Sequence, residues 1–486
     1  MIRAPYNFVP HSDDVYFPDW AEEISHDIPF SDGISGFLEL SIKTVTPIFV
    51  RNGHRTWDAE EKNDAYTSFS KTPDNCYFIP ATTIKGCIRS IVEIISMGKM
   101  SPVVARVDNK EISSYLSRKH CDINKPDMAE CLFGYINKNK KSLRGRVQFS
   151  HAKCIEECLL TENDLVNVYM ASPKPTYYPI YVRQRGEDGI MAITGDDGLT
   201  YPTSYNTYTG NGSKLKGWKR YPVRDKAFYD DSNLNERQLE QTSPFIPMNS
   251  GSRFVCRIYF HNLKKVELGA LLYSIDLGED CYHSIGFAKP FGYGVVKMEV
   301  SLGQLNSVGN SMNCKDVNIE EYKKEFEQLM YAQMNVDIQK TEQLRELLAM
   351  SKLQEVNIPL EYMQLGEFKS CKDHNPDNEI YGEYLQYYTD LIEESELNKK
   401  ESGKKEIVVE VPVVPKPEVE LVEAIFYAPA KGMKKAKLIQ GNDLQPKDLE
   451  IESQYKNIRL KDGDKIMVEK RMKNNKVEKL KFKRKV

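Results

Sequence analysis

The sequence predicts an α+β fold: a β-α-β-β-α-β domain interrupted by a large insertion, then a charged helical region and a small β domain. Three observations predict it. Residues 36–45 alternate apolar and polar side chains at the period of a half-buried strand. Two segments, 84–95 and 266–275, place apolar residues at helical spacing. Across residues 36–302 the elements recur as β-α-β, a long interruption, then β-α-β, the order of the ferredoxin-like (RRM-like) split motif.

Taken in order, residues 1–35 are rich in Pro and Asp and read as an extended N-terminal arm. The first strand has Leu38, Leu40, Ile42 and Thr44 on one face and Glu39, Ser41 and Lys43 on the other. The first helix is marked by Ile84, Ile88, Ile91 and Ile95, with Thr82 or Thr83 as its N-cap. Lys85 and Arg89, four apart, share one of its faces. Residues 144–150 are the second strand, residues 253–260 the third, and Leu268, Leu271, Leu272 and Ile275 mark the second helix. Val295 to Val300 is the fourth strand. The insertion, about residues 155–250, is dense in Tyr, Pro, Gly and charge. Residues 303–401 are charged and helical, 402–418 a Val- and Pro-rich linker, and 419–486 a small β domain with the size of a five-stranded OB-like barrel.

Composition narrows the function classes. A chain of 486 residues is long enough for two or three domains, and 40% hydrophobic residues suffice for a core. The formal net charge of −3 excludes a polybasic nucleic-acid binder, so any such surface is a local patch. No signal-peptide core or membrane-length apolar run is present, which places the protein in the cytoplasm, away from membranes. The ten scattered cysteines read as free thiols.

Three regions join cations to aromatic rings, the combination that holds RNA phosphates and bases. The first has Tyr177, Tyr178 and Tyr181 beside Lys174, Arg183 and Arg185. The second has Lys214, Lys216, Lys219, Arg220 and Arg224 around Trp218 and Tyr221. The third is Lys138, Lys140, Lys141, Arg144 and Arg146. A solvated charged face accounts for any one of them; three in one domain favour RNA. The segment from Lys465 to Val486 holds ten Lys/Arg and two Glu. Candidate catalytic residues are His54 and Asp58, in a polar loop after the first strand, where either could assist attack by a 2′-hydroxyl. His151, Cys154 and Cys158, with Cys121 or His120 as a distant fourth ligand, are candidate zinc ligands, although no CxxC pair is present. The spacing calls for no cofactor. The glycines of residues 283–300 fit neither a dinucleotide fingerprint nor a P-loop.

Several segments, in order, resemble the RAMP superfamily of CRISPR-associated proteins. They are Thr46-Pro47-Ile48-Phe49, the run from Ile79 to Arg89, Leu132-Phe133-Gly134, Gly145 to Ala152, Glu267 to Leu272 and the glycine-rich loop from His283. The likeness covers about residues 5–302. It implies a guide-RNA-binding subunit of a type III effector ribonucleoprotein in antiviral defence, partnered by guide RNA, target RNA and other RAMP subunits. The same likeness leaves an endoribonuclease as the alternative. Asp58, with a divalent metal in the assembled complex, would then cut target RNA, or His54 would process precursor guide RNA without metal. Under this resemblance Thr82, Thr83, Lys85 and Arg89 face phosphates from a helix N-terminus. Lys219 and Arg220 add charge. Gly286, Lys289, Gly292, Tyr293 and Gly294 form an RNA-facing loop whose glycines let backbone approach backbone.

Overall fold

A computed structural model describes the chain except residues 1, 53–66, 101–105, 108–109, 112–117, 123, 138–140, 157–164, 171–176, 185–191, 195–199, 203–205, 207–212, 230–233, 308–309, 313–317, 355–356, 365, 369–382, 404–418, 430–433, 439–446, 451–458 and 474–475. Residues 1–401 form one compact unit and residues 402–486 another. In the first unit the elements that matter here are β1 (Asn7–Val9), β2 (Ile34–Thr44), α1 (Ala81–Ile95), α2 (Met128–Phe133), β3 (Val147–Phe149), β4 (Ala152–Glu156) and β5 (Trp218–Arg220). They are followed by β6 (Arg253–Leu263), α3 (Lys265–Ile275), β7 (His283–Ser284), β8 (Val295–Ser307), α4 (Ile319–Met334), α5 (Glu342–Ser351) and α6 (Tyr388–Gly403).

The central sheet runs β7-β8-β2-β6-β4, with β3 also on β6, and every pairing is antiparallel. Counting β2, β3/β4, β6 and β8 as first to fourth, the order across the sheet is fourth, first, third, second. The two helical crossovers α1 and α3 make that order possible, each carrying the chain past a neighbouring strand. Alternation decides which face they cover. In β6, Phe254, Cys256, Ile258 and Phe260 are buried, while Arg253, Val255, Arg257 and Tyr259 stand on the opposite, exposed face. Leu38, Leu40 and Ile42 of β2 join the same buried layer.

Helix α1 buries one stripe, Ile84, Ile88, Ile91, Val92 and Ile95. Helix α3 is buried on all sides, because α4 packs on its far face. Gly269 sets the contact: a Cβ there would lie 2.0 Å from the carbonyl oxygen of Tyr322. The charged helical region therefore does not stand apart. Tyr322, Phe326 and Met330 of α4 and Leu344 and Leu347 of α5 belong to the main core. The N-terminal arm contributes Ile2, Tyr6 and Phe8 to a second cluster with Tyr178, Ile180 and Leu215 of the insertion and Leu385. Among the described residues no helix is long and apolar enough to cross a membrane.

The second unit is a closed barrel of β9 (Val419–Tyr427), β10 (Lys435–Leu438), β11 (Lys447–Glu450), β12 (Lys465–Lys473) and β13 (Lys476–Lys485). The order is β9-β10-β11-β13-β12, closing back on β9, with β11 and β13 parallel. Ala424, Phe426, Ala436, Leu449, Ile466, Val468, Leu480 and Phe482 fill it. The basic run from Lys465 is thus two barrel strands, with Ile466, Val468, Leu480 and Phe482 turned inward.

Candidate functional site

The N-terminal end of α1, strand β5 and the loop after β7 enclose a cavity of about 370 Å³. Long-range pairing builds it. Strand β5 lies antiparallel to β1, with Asn7 opposite Arg220 and Phe8 opposite Lys219, so the N-terminal arm holds the two cations over α1. Lys289 comes from the opposite wall, and Thr82, Thr83, Gly86, Cys87 and Ser90 of α1 form the floor. Of the residues proposed from sequence, Thr82, Thr83, Lys219, Arg220, Gly286 and Lys289 all line this one cavity.

Its chemistry is that of an anion site. Among the described residues three cations line it and no carboxylate does. The Lys219 Nζ sits 3.6 Å from the centroid of the Tyr6 ring and 5.5 Å from that of Tyr221, whose ring also lies 5.6 Å from the Lys289 Nζ. Arg220 donates from Nη1 to Ser90 Oγ at 2.8 Å. Burial is costly for the charged forms: it lowers Lys219 to about 8 and pulls Arg220 and Lys289 below their ordinary values. A bound anion would offset that cost. The Cys87 thiol is pushed up by burial and drawn back by Arg220 and Lys289. Behind it His283 lies with Nδ1 4.0 Å from Cys87 Sγ and Nε2 2.8 Å from the Ile275 carbonyl oxygen; burial lowers its pKa to about 4, so the imidazole is neutral.

Several expectations need correction. Helix α1 starts at Ala81 with Pro80 as N-cap, and neither threonine caps it by its side chain. The Pro80 carbonyl accepts from Thr83 N–H at 2.9 Å, and His151 Nδ1 accepts from Ala81 N–H at 3.1 Å. Thus His151 serves as a helix cap. Among the described residues no group of His, Cys, Asp and Glu could hold a metal ion, and Cys158 lies outside them. Lys85 and Arg89 turn away from the cavity to α2. Lys85 Nζ donates to the Phe133 carbonyl at 3.0 Å, and Arg89 donates to the Gly134 carbonyl at 3.0 Å and to Glu93 at 2.9 Å. These contacts tie α1 to the end of a neighbouring helix.

Tyr293 is buried, its ring 5.3 Å from that of Phe245, so its face is taken by protein. The glycines do bring backbones together, but the partner is the protein itself. A Cβ at Gly294 (φ 76°) would lie 1.8 Å from the Ile285 carbonyl oxygen, at Gly292 (φ 82°) 2.4 Å from that of Lys226, and at Gly286 (φ 88°) 2.3 Å from that of Phe49. Hydrogen bonds from Phe287 N–H to Phe49 O, from Gly294 N–H to Pro47 O and from Thr46 Oγ1 to Gly292 O clamp the loop to the Thr46–Val50 segment, and Lys289 lies at the cavity wall. Of the three basic clusters, Tyr177, Tyr178 and Lys216 are buried. Arg146 is wholly buried, donating to Cys131 O, Asn262 O and both carboxylate oxygens of Glu267. His54, Asp58, Lys138, Lys140, Lys174 and Arg185 lie outside the described residues.

Residues 41–297 match the family model described as RAMPs, the RAMP superfamily. The chain belongs to the RAMP superfamily. That makes it a CRISPR-associated protein of an RNA-binding family, and the matched span contains both α1 and the loop that carries Lys289. No curated protein matches the chain. In this RAMP protein Tyr6 and Phe8, which help to place Lys219 and Arg220, lie N-terminal to the matched span. The sequence reading missed them together with Cys87 and Ser90. The only local signal was the alternation of aromatic and small residues at Tyr6-Asn7-Phe8-Val9, too short to stand out from an irregular arm. A larger hollow of about 870 Å³ lies on the uncovered sheet face, but there Glu39 and Glu299 accompany Lys153, Arg253 and Arg257. It lacks the one-sided charge of the α1 cavity.

Proposed function

We propose that this RAMP protein is a guide-RNA-binding subunit of a type III CRISPR effector ribonucleoprotein acting in antiviral defence, built on a ferredoxin-like core. The cavity at the start of α1 holds the RNA backbone. The observation that carries this reading is the convergence of Lys219, Arg220 and Lys289, with no carboxylate among the described residues, on the face of α1 that runs from Thr82 and Thr83 in its first turn to Ser90. Partly desolvated cations without a counter-ion favour phosphate, and the positive end of the α1 dipole adds to them. Thr82 and Thr83 supply hydroxyls and the Tyr221 ring a flat face. These groups recognise a sugar-phosphate chain and carry little sequence information. Sequence would then be read by pairing with the guide while the protein holds its shape. Other RAMP subunits and target RNA complete the assembly. In cells that also express a repeat array, the protein is expected to purify with short RNA of discrete length, ultraviolet-crosslinked to peptides containing Tyr221 or Lys289. RNA-free protein from that expression would refute the reading.

A further inference from the structure

The C-terminal barrel is the basic part of the chain. Residues 419–486 hold 18 Lys/Arg against 10 Asp/Glu, in a chain whose formal net charge is −3. Residues 1–418 are therefore net acidic, and the excess of positive over negative charge lies in residues 419–486. The barrel's strand order is that of an OB-type barrel, whose outer wall is a common platform for single strands. Strand alternation places its charges. Ala424 and Phe426 of β9 and Ala436 of β10 point inward, so Ile425, Tyr427, Lys435 and Lys437 lie on the outer wall. The register sets Ile425 opposite Lys437 on one side and Lys465 on the other, and Tyr427 opposite Lys435. Ile425 is 40% exposed, and the Lys437 Nζ lies 5.4 Å from the Tyr427 ring centroid. Asp448 answers part of this charge, 3.4 Å from Lys435.

We propose that this wall binds single-stranded RNA, with Tyr427 and Ile425 as the base platform and Lys437 and Lys465 as phosphate contacts. A flat ring beside an ammonium group, with a further lysine across the neighbouring strand, fits unpaired bases, whose faces a duplex hides. The choice of RNA over DNA rests on the function proposed for the core; the site itself does not.

The test uses the full chain and fluorescence anisotropy with a labelled unstructured RNA. In a Lys219→Gln/Lys289→Gln protein, where the α1 cavity is weakened, residual RNA binding is expected. Adding Tyr427→Leu should weaken it about tenfold. Adding Lys437→Gln/Lys465→Gln should flatten the log–log salt slope by about 1.4, two single-strand phosphate contacts. Thermal unfolding checks that the barrel is intact, and crosslinking to the Tyr427 peptide provides a second readout. No residual binding in the cavity variant, or unchanged affinity, slope and crosslinks in the barrel variants, would overturn the proposal. Equal affinity for DNA of the same sequence would overturn the assignment to RNA. Loss of a co-purifying protein from the barrel variants with RNA binding intact would overturn it in favour of protein docking. If only the barrel variants lose RNA, the barrel site stands and the cavity reading falls.

Discussion

Lys219 is charged at neutral pH but close to losing its proton, because burial lowers it to about 8. Only the protonated form attracts phosphate, so RNA affinity should fall as pH rises from 7 towards 9. Lys219→Arg should remove most of that dependence, since guanidinium stays charged; anisotropy titrations at both pH values check this. Arg146 shows the opposite use of a cation. Its guanidinium is shared between Glu267 and two backbone carbonyls with no exposed surface on either charged side chain. Removing one partner of such a pair strands the other, so Arg146→Ala should cost about 3–5 kcal/mol in chemical denaturation. Arg144→Ala, on an exposed residue, should cost about 0.5 kcal/mol or less. From sequence the two arginines looked alike. What separates them is Glu267, 121 residues away, and no local pattern contains that.

At the scale of elements, the glycine-rich loop is shaped by its own backbone. Gly294 needs a left-handed conformation and its Cβ position is filled by the Ile285 carbonyl. Gly294→Ala should therefore destabilise the protein by at least about 1–3 kcal/mol. Gly86 offers the contrast. It lies inside α1, with nothing within 4 Å of a Cβ there. Gly86→Ala should raise stability by up to about 1 kcal/mol, as measured by thermal unfolding. The helices and main strands were readable because they carry their periodicity locally: Ile84, Ile88 and Ile91 in α1, Phe254 to Phe260 in β6. The start of α1 was misplaced because its cap comes from Pro80 and from His151, 70 residues on. Lys219 and Arg220 could be picked out as basic residues among aromatics. Their meeting with Lys289 depends on the β1–β5 pairing, which spans more than two hundred residues and leaves only a short alternation at Tyr6 to Val9 as its mark in the sequence.

At the scale of the molecule, residues 1–418 are net acidic and residues 419–486 net basic, and among the described residues the α1 cavity gathers three cations without a carboxylate. A net-acidic segment repels RNA except where cations are held together, so under the proposed function the cavity trio is where a strand would meet the core. Its contribution can be isolated by the salt dependence of RNA binding to the full chain, compared between wild type and Lys219→Gln/Lys289→Gln. Loss of two single-strand phosphate contacts should weaken binding and lower the log–log slope by about 1.4, with the melting temperature unchanged. A folded double variant that binds RNA with the wild-type affinity and slope would contradict the assignment of this cavity to RNA.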